Sequence, residues 1–103
     1  MTIGQEPPPA GEEDFIADEI EVAEDRARRA RERAAQAGFS AADSLEESAR
    51  RHEHFAEVED EGVRQGVPHT DVHRESARLH RKAAAEDRHL AELKRRESEA
   101  DLS

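Results

Sequence analysis

Six histidines are the residues of this chain best suited to chemistry, since imidazole binds transition metals and exchanges protons near neutral pH. His69 and His73 are four residues apart, a spacing that places two ligands on one helical face. A helical hairpin around Val67 would bring His52 within a turn of His80, with a glutamate completing the set. The sequence therefore predicts a candidate site for a divalent transition metal such as zinc, drawn from His52, His80, Glu86 (or Glu53), His69 and His73.

Two other interpretations of the histidines remain open. The chain lacks the tighter His-Glu-x-x-His metal motif, so the histidines could be solvated or half-buried side chains that bind nothing. His52 also falls on an expected interface stripe, where protonation would place a charge among apolar side chains. Metal binding, a response to pH and ordinary titration are thus three alternatives.

Other catalytic and binding chemistries find little support. A di-iron carboxylate site needs two Glu-x-x-His pairs, and only Glu86 with His89 has that spacing. The arginine run from Arg26 to Arg33 has no interleaved aromatic residue to stack on bases. Neither a glycine-rich phosphate loop nor a Ser-His-Asp arrangement is suggested by the spacing. We therefore predict that the protein is not an enzyme and has no small-molecule substrate.

Composition narrows the class of protein. Charged residues make up 41% of the 103 residues, and the net charge of −10 disfavours nucleic acid and anionic membranes as partners. The absence of cysteine excludes disulfides and thiolate chemistry, and no stretch is apolar enough for a signal peptide or membrane span, so we expect a cytoplasmic protein. Alanine accounts for 18 residues, so the core is thin and we expect association to add stability.

Helix signals divide the chain into a tail and three helices. Residues 1–11 contain three consecutive prolines and predict a flexible tail, or alternatively a short docking motif. Gly38-Phe39 predicts a helix stop and Ser40 a following N-cap, while Gly66-Val67-Pro68 predicts a second stop. Thr70 or Asp71 would cap the third helix. The predicted helices cover residues 13–37, 41–65 and 71–97, within one helical domain of residues 12–100.

Apolar residues recur at alternating gaps of three and four in each predicted helix, which is the heptad pattern of a coiled coil. In the second helix the stripe contains Leu45, Ala49, His52, Phe55 or Ala56, Glu59 and Val63. In the third it contains Val72, Ser76, Leu79, Ala83, Glu86, Leu90, Leu93, Glu97 and Ala100. The fold class predicted is all-α, an antiparallel three-helix bundle or coiled coil, with an elongated helical dimer as the alternative.

Charges predict which helices pack together. An antiparallel pairing of the second and third helices sets Arg74 near Asp60, Arg81 near Glu53 and Arg88 near Glu46. A third helix running parallel to the first would also place its arginines near the acidic residues Asp18 and Glu21. We therefore expect the third helix to contact both of the others.

One six-residue segment recurs. Residues 47–52 (ESARRH) resemble residues 75–80 (ESARLH) at a separation of 28 residues, or four heptads. Duplication and chance both explain the repeat. Function is predicted as a non-enzymatic protein–protein interaction module, an adaptor, regulator or assembly factor whose partner is another protein or a second copy. A histidine-based metal-binding or metal- or pH-sensing helical protein is the alternative.

Overall fold

Two long helices form an antiparallel hairpin. The computed structural model describes residues 10–103, in which α1 spans Ala10–Arg64 and α2 spans Thr70–Leu102. Contacts run in opposite directions along the two helices, since Glu59 meets His73 near the connection and Gly38 meets Ser98 at the other end. The hairpin is elongated, since α1 alone is about 82 Å long at 1.5 Å per residue. The all-α class is confirmed.

The predicted three-helix bundle is wrong, because α1 continues through the expected break at Gly38-Phe39-Ser40. A glycine inside a helix costs only about 1 kcal/mol relative to alanine, which flanking turns of good helix formers offset. Gly38 faces Ser98, and a Cβ atom at Gly38 would lie 1.8 Å from the Ser98 Oγ atom. The glycine therefore permits close approach of α2 and does not end the helix. The predicted helices 13–37 and 41–65 are one helix.

The second predicted stop is confirmed. Gly66 has a left-handed backbone with φ of 79°, and its N–H donates to the Val63 carbonyl while the Val67 N–H donates to the Gly62 carbonyl. This pair of bonds is a Schellman motif, which satisfies carbonyls at the end of α1. His69, also left-handed with φ of 67°, occupies the N-cap of α2 without a side-chain capping bond, so the predicted caps Thr70 and Asp71 are wrong.

Small side chains form the core of the hairpin, and they repeat every seven residues. None of the fully buried side chains in the described residues is large. Because alanine and serine extend little beyond the backbone, the two helices can pack at close range over four heptads. The buried residues are Ala35, Ala42, Ala49 and Ala56 on α1 and Ala77, Ala84, Ala91 and Ser98 on α2.

The stripe predicted for the second helix faces α2, whereas most of the stripe predicted for the third helix points away from α1, apart from half-buried members such as Ser76. Leu45 and His52 are half-buried between the alanines of α1, as expected. On α2, however, Leu79, Leu90 and Leu93 keep about half of their surface exposed. The prediction assigned the leucines to the interface because they are the largest apolar side chains of α2. In the hairpin, the interface instead contains the smallest side chains.

The first part of α1 extends beyond the end of α2. Leu102, the last residue of α2, lies beside Arg33 and Gln36 of α1. Every residue from 15 to 34 is exposed except Asp25, which is half-buried. We call this segment, residues 15–34, the arm. The expectation that the third predicted helix runs parallel to the first along its length is therefore wrong, since α2 reaches only the end of that segment near Arg33 and Gln36.

The predicted tail, residues 1–11, lies largely outside the described residues, which begin at Ala10; Ala10 and Gly11 belong to the first turn of α1. Within residues 10–103, neither helix has a stretch long and apolar enough to cross a lipid bilayer.

Candidate functional site: a histidine pair and an ion-pair ladder

Two histidines from opposite helices meet at the hairpin interface. His52 follows Ala49 by three residues on α1, and His80 follows Ala77 by three residues on α2, so each lies on the stripe that faces the other helix. Their Nδ1 atoms are 2.9 Å apart, and the ring centroids are separated by 5.1 Å. At this distance one Nδ1–H donates to the other Nδ1, so the pair holds one shared proton between the rings.

An acidic residue and an aromatic ring flank the histidine pair. The Asp87 Oδ2 atom lies 3.9 Å from the His52 Nε2 atom, and it is buried without a hydrogen-bond partner among the described residues. On the other side, the Phe55 ring centroid is 5.4 Å from that of His80. A proton on His52 Nε2 would thus face a carboxylate, while the Nδ1 proton bonds to His80. The Nδ1 contact has room for one proton, because a second would place two N–H groups against each other.

A second polar cluster lies one to two turns closer to the connection. The His73 Nδ1 atom is hydrogen-bonded to a Glu59 carboxylate oxygen, and the Ser76 Oγ atom donates to the other oxygen at 3.4 Å. The Glu59 carboxylate, three-quarters buried, therefore has a partner from α2 on each oxygen. This arrangement ties the two helices together beside the connection.

The structure brings together only some of the predicted metal ligands. His52 and His80 meet, but Glu86 is exposed and the acidic neighbour of the pair is Asp87 instead. His73 bonds to Glu59, and His69 lies in the connection as the N-cap of α2. Among the residues that the structure describes, no group of three or more histidine, aspartate or glutamate side chains is close enough to hold one ion.

Sequence reasoning missed Asp87 as the neighbour of the histidine pair, although a signal was available. Asp87 follows His80 by seven residues, so both occupy the same heptad position. The 28-residue repeat contained a second signal, because it ends in His52 in its first copy and in His80 in its second. The repeat gives these histidines equivalent positions on two antiparallel helices, where they face each other.

Three ion pairs at seven-residue intervals join α1 to α2 along one edge of the hairpin. We call them the ion-pair ladder: Asp60 with Arg81, Glu53 with Arg88, and Glu46 with Arg95. Arg95 also donates to the Asp43 carboxylate at 2.9 Å. The opposite edge carries the exposed Phe55 and Leu90, so the two edges differ in chemistry.

The ladder acids pair with arginines one heptad further along α2 than predicted. Arg81 was expected to meet Glu53 and instead binds Asp60. Side chains on a helix lean toward its N-terminus, so in an antiparallel pair an arginine and an acid that are offset lean toward each other. The prediction paired residues whose Cα atoms lie at the same height along the two helices, and it did not take the tilt of the side chains toward each N-terminus into account. The antiparallel pairing of these segments is nonetheless present.

The ladder shifts the ionisation of its members. A hydrogen bond from Arg95 lowers the pKa of Glu46, and one from Arg81 lowers the pKa of Asp60. In return, the carboxylate of Glu53 raises the pKa of Arg88 through their hydrogen bond. Both partners therefore stay charged over a wider range of pH than they would alone.

Comparison with known proteins finds no match to a family model, to a curated protein or to a solved structure.

Proposed function

We propose that this protein is a non-enzymatic helical interaction module, an adaptor, regulator or assembly factor that binds its partner through the arm. One observation carries the proposal: the arm presents large apolar side chains that nothing in the described chain covers. Phe15, Ile16 and Ile20 expose 64%, 56% and 55% of their surface. Contiguous exposed apolar residues on a helix are the anchors by which amphipathic helices dock on other proteins.

Helix energetics support the same conclusion. An isolated helix of fewer than about 12–15 residues is marginal in water, and most helical stability in proteins comes from packing of an apolar face. The arm receives no such packing from α2. A partner that covers the apolar face of the arm would therefore stabilise the arm as it binds. The part of α1 that extends beyond α2 is thus suited to be the docking segment.

Affinity capture from the source cells tests the proposal. The bait is the full chain, and the arm variant is Ile16→Ser with Ile20→Ser. The matched control is Leu90→Ser with Leu93→Ser, which removes similarly exposed residues from the outer face of α2. We expect the wild type and the control to retain the same partner by mass spectrometry and the arm variant to lose it. Equal recovery with all three baits would contradict binding through the arm.

The histidine pair favours a second candidate function, metal binding or pH sensing. The specific observation is the 2.9 Å approach of the His52 and His80 Nδ1 atoms beside the unpartnered Asp87 oxygen. Calorimetric titration with zinc, nickel and copper tests the metal alternative, with His80→Ala as the site variant and the exposed His89→Ala as the control. Binding tighter than tens of micromolar that only His80→Ala removes would support it, and the absence of such binding in the wild type would exclude it.

A further inference from the structure

Six apolar residues of the arm form a stripe that has the same spacing in both chain directions. Its members are separated by gaps of 4, 3, 4, 3 and 4 residues: Ile16, Ile20, Ala23, Ala27, Ala30 and Ala34. The stripe passes into the hairpin interface through Gly38 and Ala42, with gaps of four that correspond to a stutter in the heptad pattern. The stripe lies about a quarter turn around α1 from the face that α2 covers, since Ala34 is exposed and the adjacent Ala35 is buried.

This symmetry allows two arms to pair with each other in antiparallel orientation. With the midpoint of the pairing at residue 25, Ile16 of one copy faces Ala34 of the other, and Ile20 faces Ala30. Ala23 then faces Ala27. Each large side chain is opposite a small one, which fills the interface without overpacking. The large residues lie at one end of the arm and the alanines at the other, so only the antiparallel orientation matches them in this way.

Charge along the arm favours the same orientation. Its first half is acidic, with Asp18, Glu19, Glu21 and Glu24, and its second half is basic, with Arg26, Arg28, Arg29, Arg31 and Arg33. Antiparallel pairing brings acidic halves against basic halves, whereas parallel pairing brings like charges together. In the antiparallel pairing Glu24 of one copy and Arg31 of the other are offset in the same direction as Glu53 and Arg88 in the ladder, so their side chains lean toward each other. No ion pair among residues 15–103 uses Glu24 or Arg31, so both are available.

We infer that the partner of the arm is the arm of a second copy of this chain, in a two-fold symmetric antiparallel dimer. The inference rests on the proposed function and names the partner that the arm binds. A two-fold interface requires a self-complementary surface, and the arm has one in both side-chain volume and charge. The two α1 helices, each about 82 Å long, would overlap over about 45 Å and give a helical particle about 120 Å long.

Charge reversal tests the pairing with the full chain. Glu24→Arg alone leaves only arginines at the two paired positions, and Arg31→Glu alone leaves only glutamates, so each variant repels itself. We expect each to weaken self-association by about tenfold or more, and an equimolar mixture to form a heterodimer. Glu32→Arg, on the opposite face of the arm, is the control and should dimerise like the wild type. Sedimentation over a concentration series to about 500 µM measures all of these.

Disulfide cross-linking tests the alignment of the two arms. The chain has no natural cysteine, so only the introduced cysteines can react. A mixture of Ala23→Cys and Ala27→Cys chains should form the mixed disulfide faster than either variant links to itself, since these positions are opposite each other in the antiparallel pair. Asp18→Cys, on the outer face, is the control that should not link. Faster self-linking of Ala23→Cys would indicate parallel arms, and the absence of any arm-specific link would indicate another docking surface; either result overturns the inference.

The outcomes separate this inference from the proposed function. A wild-type chain that stays monomeric at every concentration overturns the dimer, yet the interaction module stands if arm-dependent capture recovers a different protein. Conversely, dimerisation that the arm variants do not change overturns the arm–arm dimer, and equal capture by all three baits overturns the proposed function. X-ray scattering adds an independent check, since a helical particle about 120 Å long, longer than one hairpin, supports end-to-end arm pairing and a shorter, thicker particle contradicts it.

Discussion

Gly38 lies against Ser98 so closely that an added Cβ atom would be 1.8 Å from the Ser98 Oγ atom and 3.2 Å from its Cβ atom. The hydroxyl can rotate away, but the Cβ contact can relax only if the helices separate slightly. Gly62, in the same helix, has only the Val67 side chain at 3.7 Å from such an atom. The two glycines therefore form a matched pair in which only one has a packing role.

The first prediction concerns these glycines. Gly62→Ala should raise the free energy of unfolding by up to about 1 kcal/mol, because alanine favours the helix. Gly38→Ala should be less stable than Gly62→Ala by about 1–3 kcal/mol, since overpacking opposes the same gain in propensity. Chemical denaturation measures both. Combining Gly38→Ala with Ser98→Gly should recover most of the loss, and equal stability of the two single variants would contradict the packing role of Gly38.

A second prediction tests the alanine core with neighbouring residues. Ala84 is buried at the interface and Ala85 is exposed. Ala84→Leu should destabilise the hairpin by about 1–3 kcal/mol because leucine forces the helices apart. Ala85→Leu should change stability by less than about 0.5 kcal/mol. Both variants have the same composition and nearly the same helix propensity, so a similar effect of the two would show that the interface does not require small side chains.

The ion-pair ladder predicts a loss of stability in acid. Hydrogen bonds from arginine lower the pKa of Glu46 and Asp60 in the folded chain from their ordinary values of 4.5 and 3.8. A carboxyl whose folded pKa is lowered stabilises the fold above its unfolded pKa, and that contribution is lost as the pH falls through the folded pKa. The Tm of the wild type should therefore fall between about pH 5 and pH 3.

Glu46→Gln with Asp60→Asn tests this dependence. The variant should melt below the wild type at about pH 6, and the two curves should converge as the pH falls through the lowered folded pKa values, where the wild-type carboxyls lose their charge. Glu99→Gln, at an exposed position on α2, should follow the wild-type curve. Parallel curves for the wild type and the ladder variant would argue against a pH-linked ladder. Circular dichroism during thermal melting is sufficient for the measurement.

A final prediction concerns the histidine pair. In a double-mutant cycle of His52→Ala and His80→Ala, the two changes should be less than additive by about 0.5–1.5 kcal/mol, the usual net value of a hydrogen bond. His54→Ala, at an exposed position on α1, should show no coupling to His80→Ala. Additive effects for His52 and His80 would mean that the 2.9 Å contact contributes nothing to stability.

Several features could be predicted from the sequence because they depend on local signals. Gly66 needs a left-handed backbone that glycine adopts freely, so the end of α1 follows from one residue type. The stripe through Ala49 and His52 follows from heptad spacing, which also brought His52 to His80. Helix class likewise follows from the periodicity of the whole chain.

The errors arise where a residue type has two physical uses. Gly38 fits a helix stop and also fits a tight helix crossing, and only the presence of Ser98 opposite it decides between them. On α2, leucines suggest a conventional core, whereas the structure buries Ala77 and Ala84. The preference for small residues depends on both helices at once, so inspection of either helix alone does not reveal it.

Because the interface repeats every seven residues, α1 and α2 could pack almost equally well after α2 is shifted along α1 by one repeat. A slide of α2 by one heptad, about 10.5 Å, toward the arm would again place alanines opposite alanines. Arg81 would then meet Glu53 and Arg88 would meet Glu46, with no loss of opposite charge. Only aperiodic features distinguish the two positions. The short connection between the helices, which begins with a Schellman turn, cannot span the added distance unless a helix unwinds. The connection therefore fixes which repeat of α2 packs against which repeat of α1.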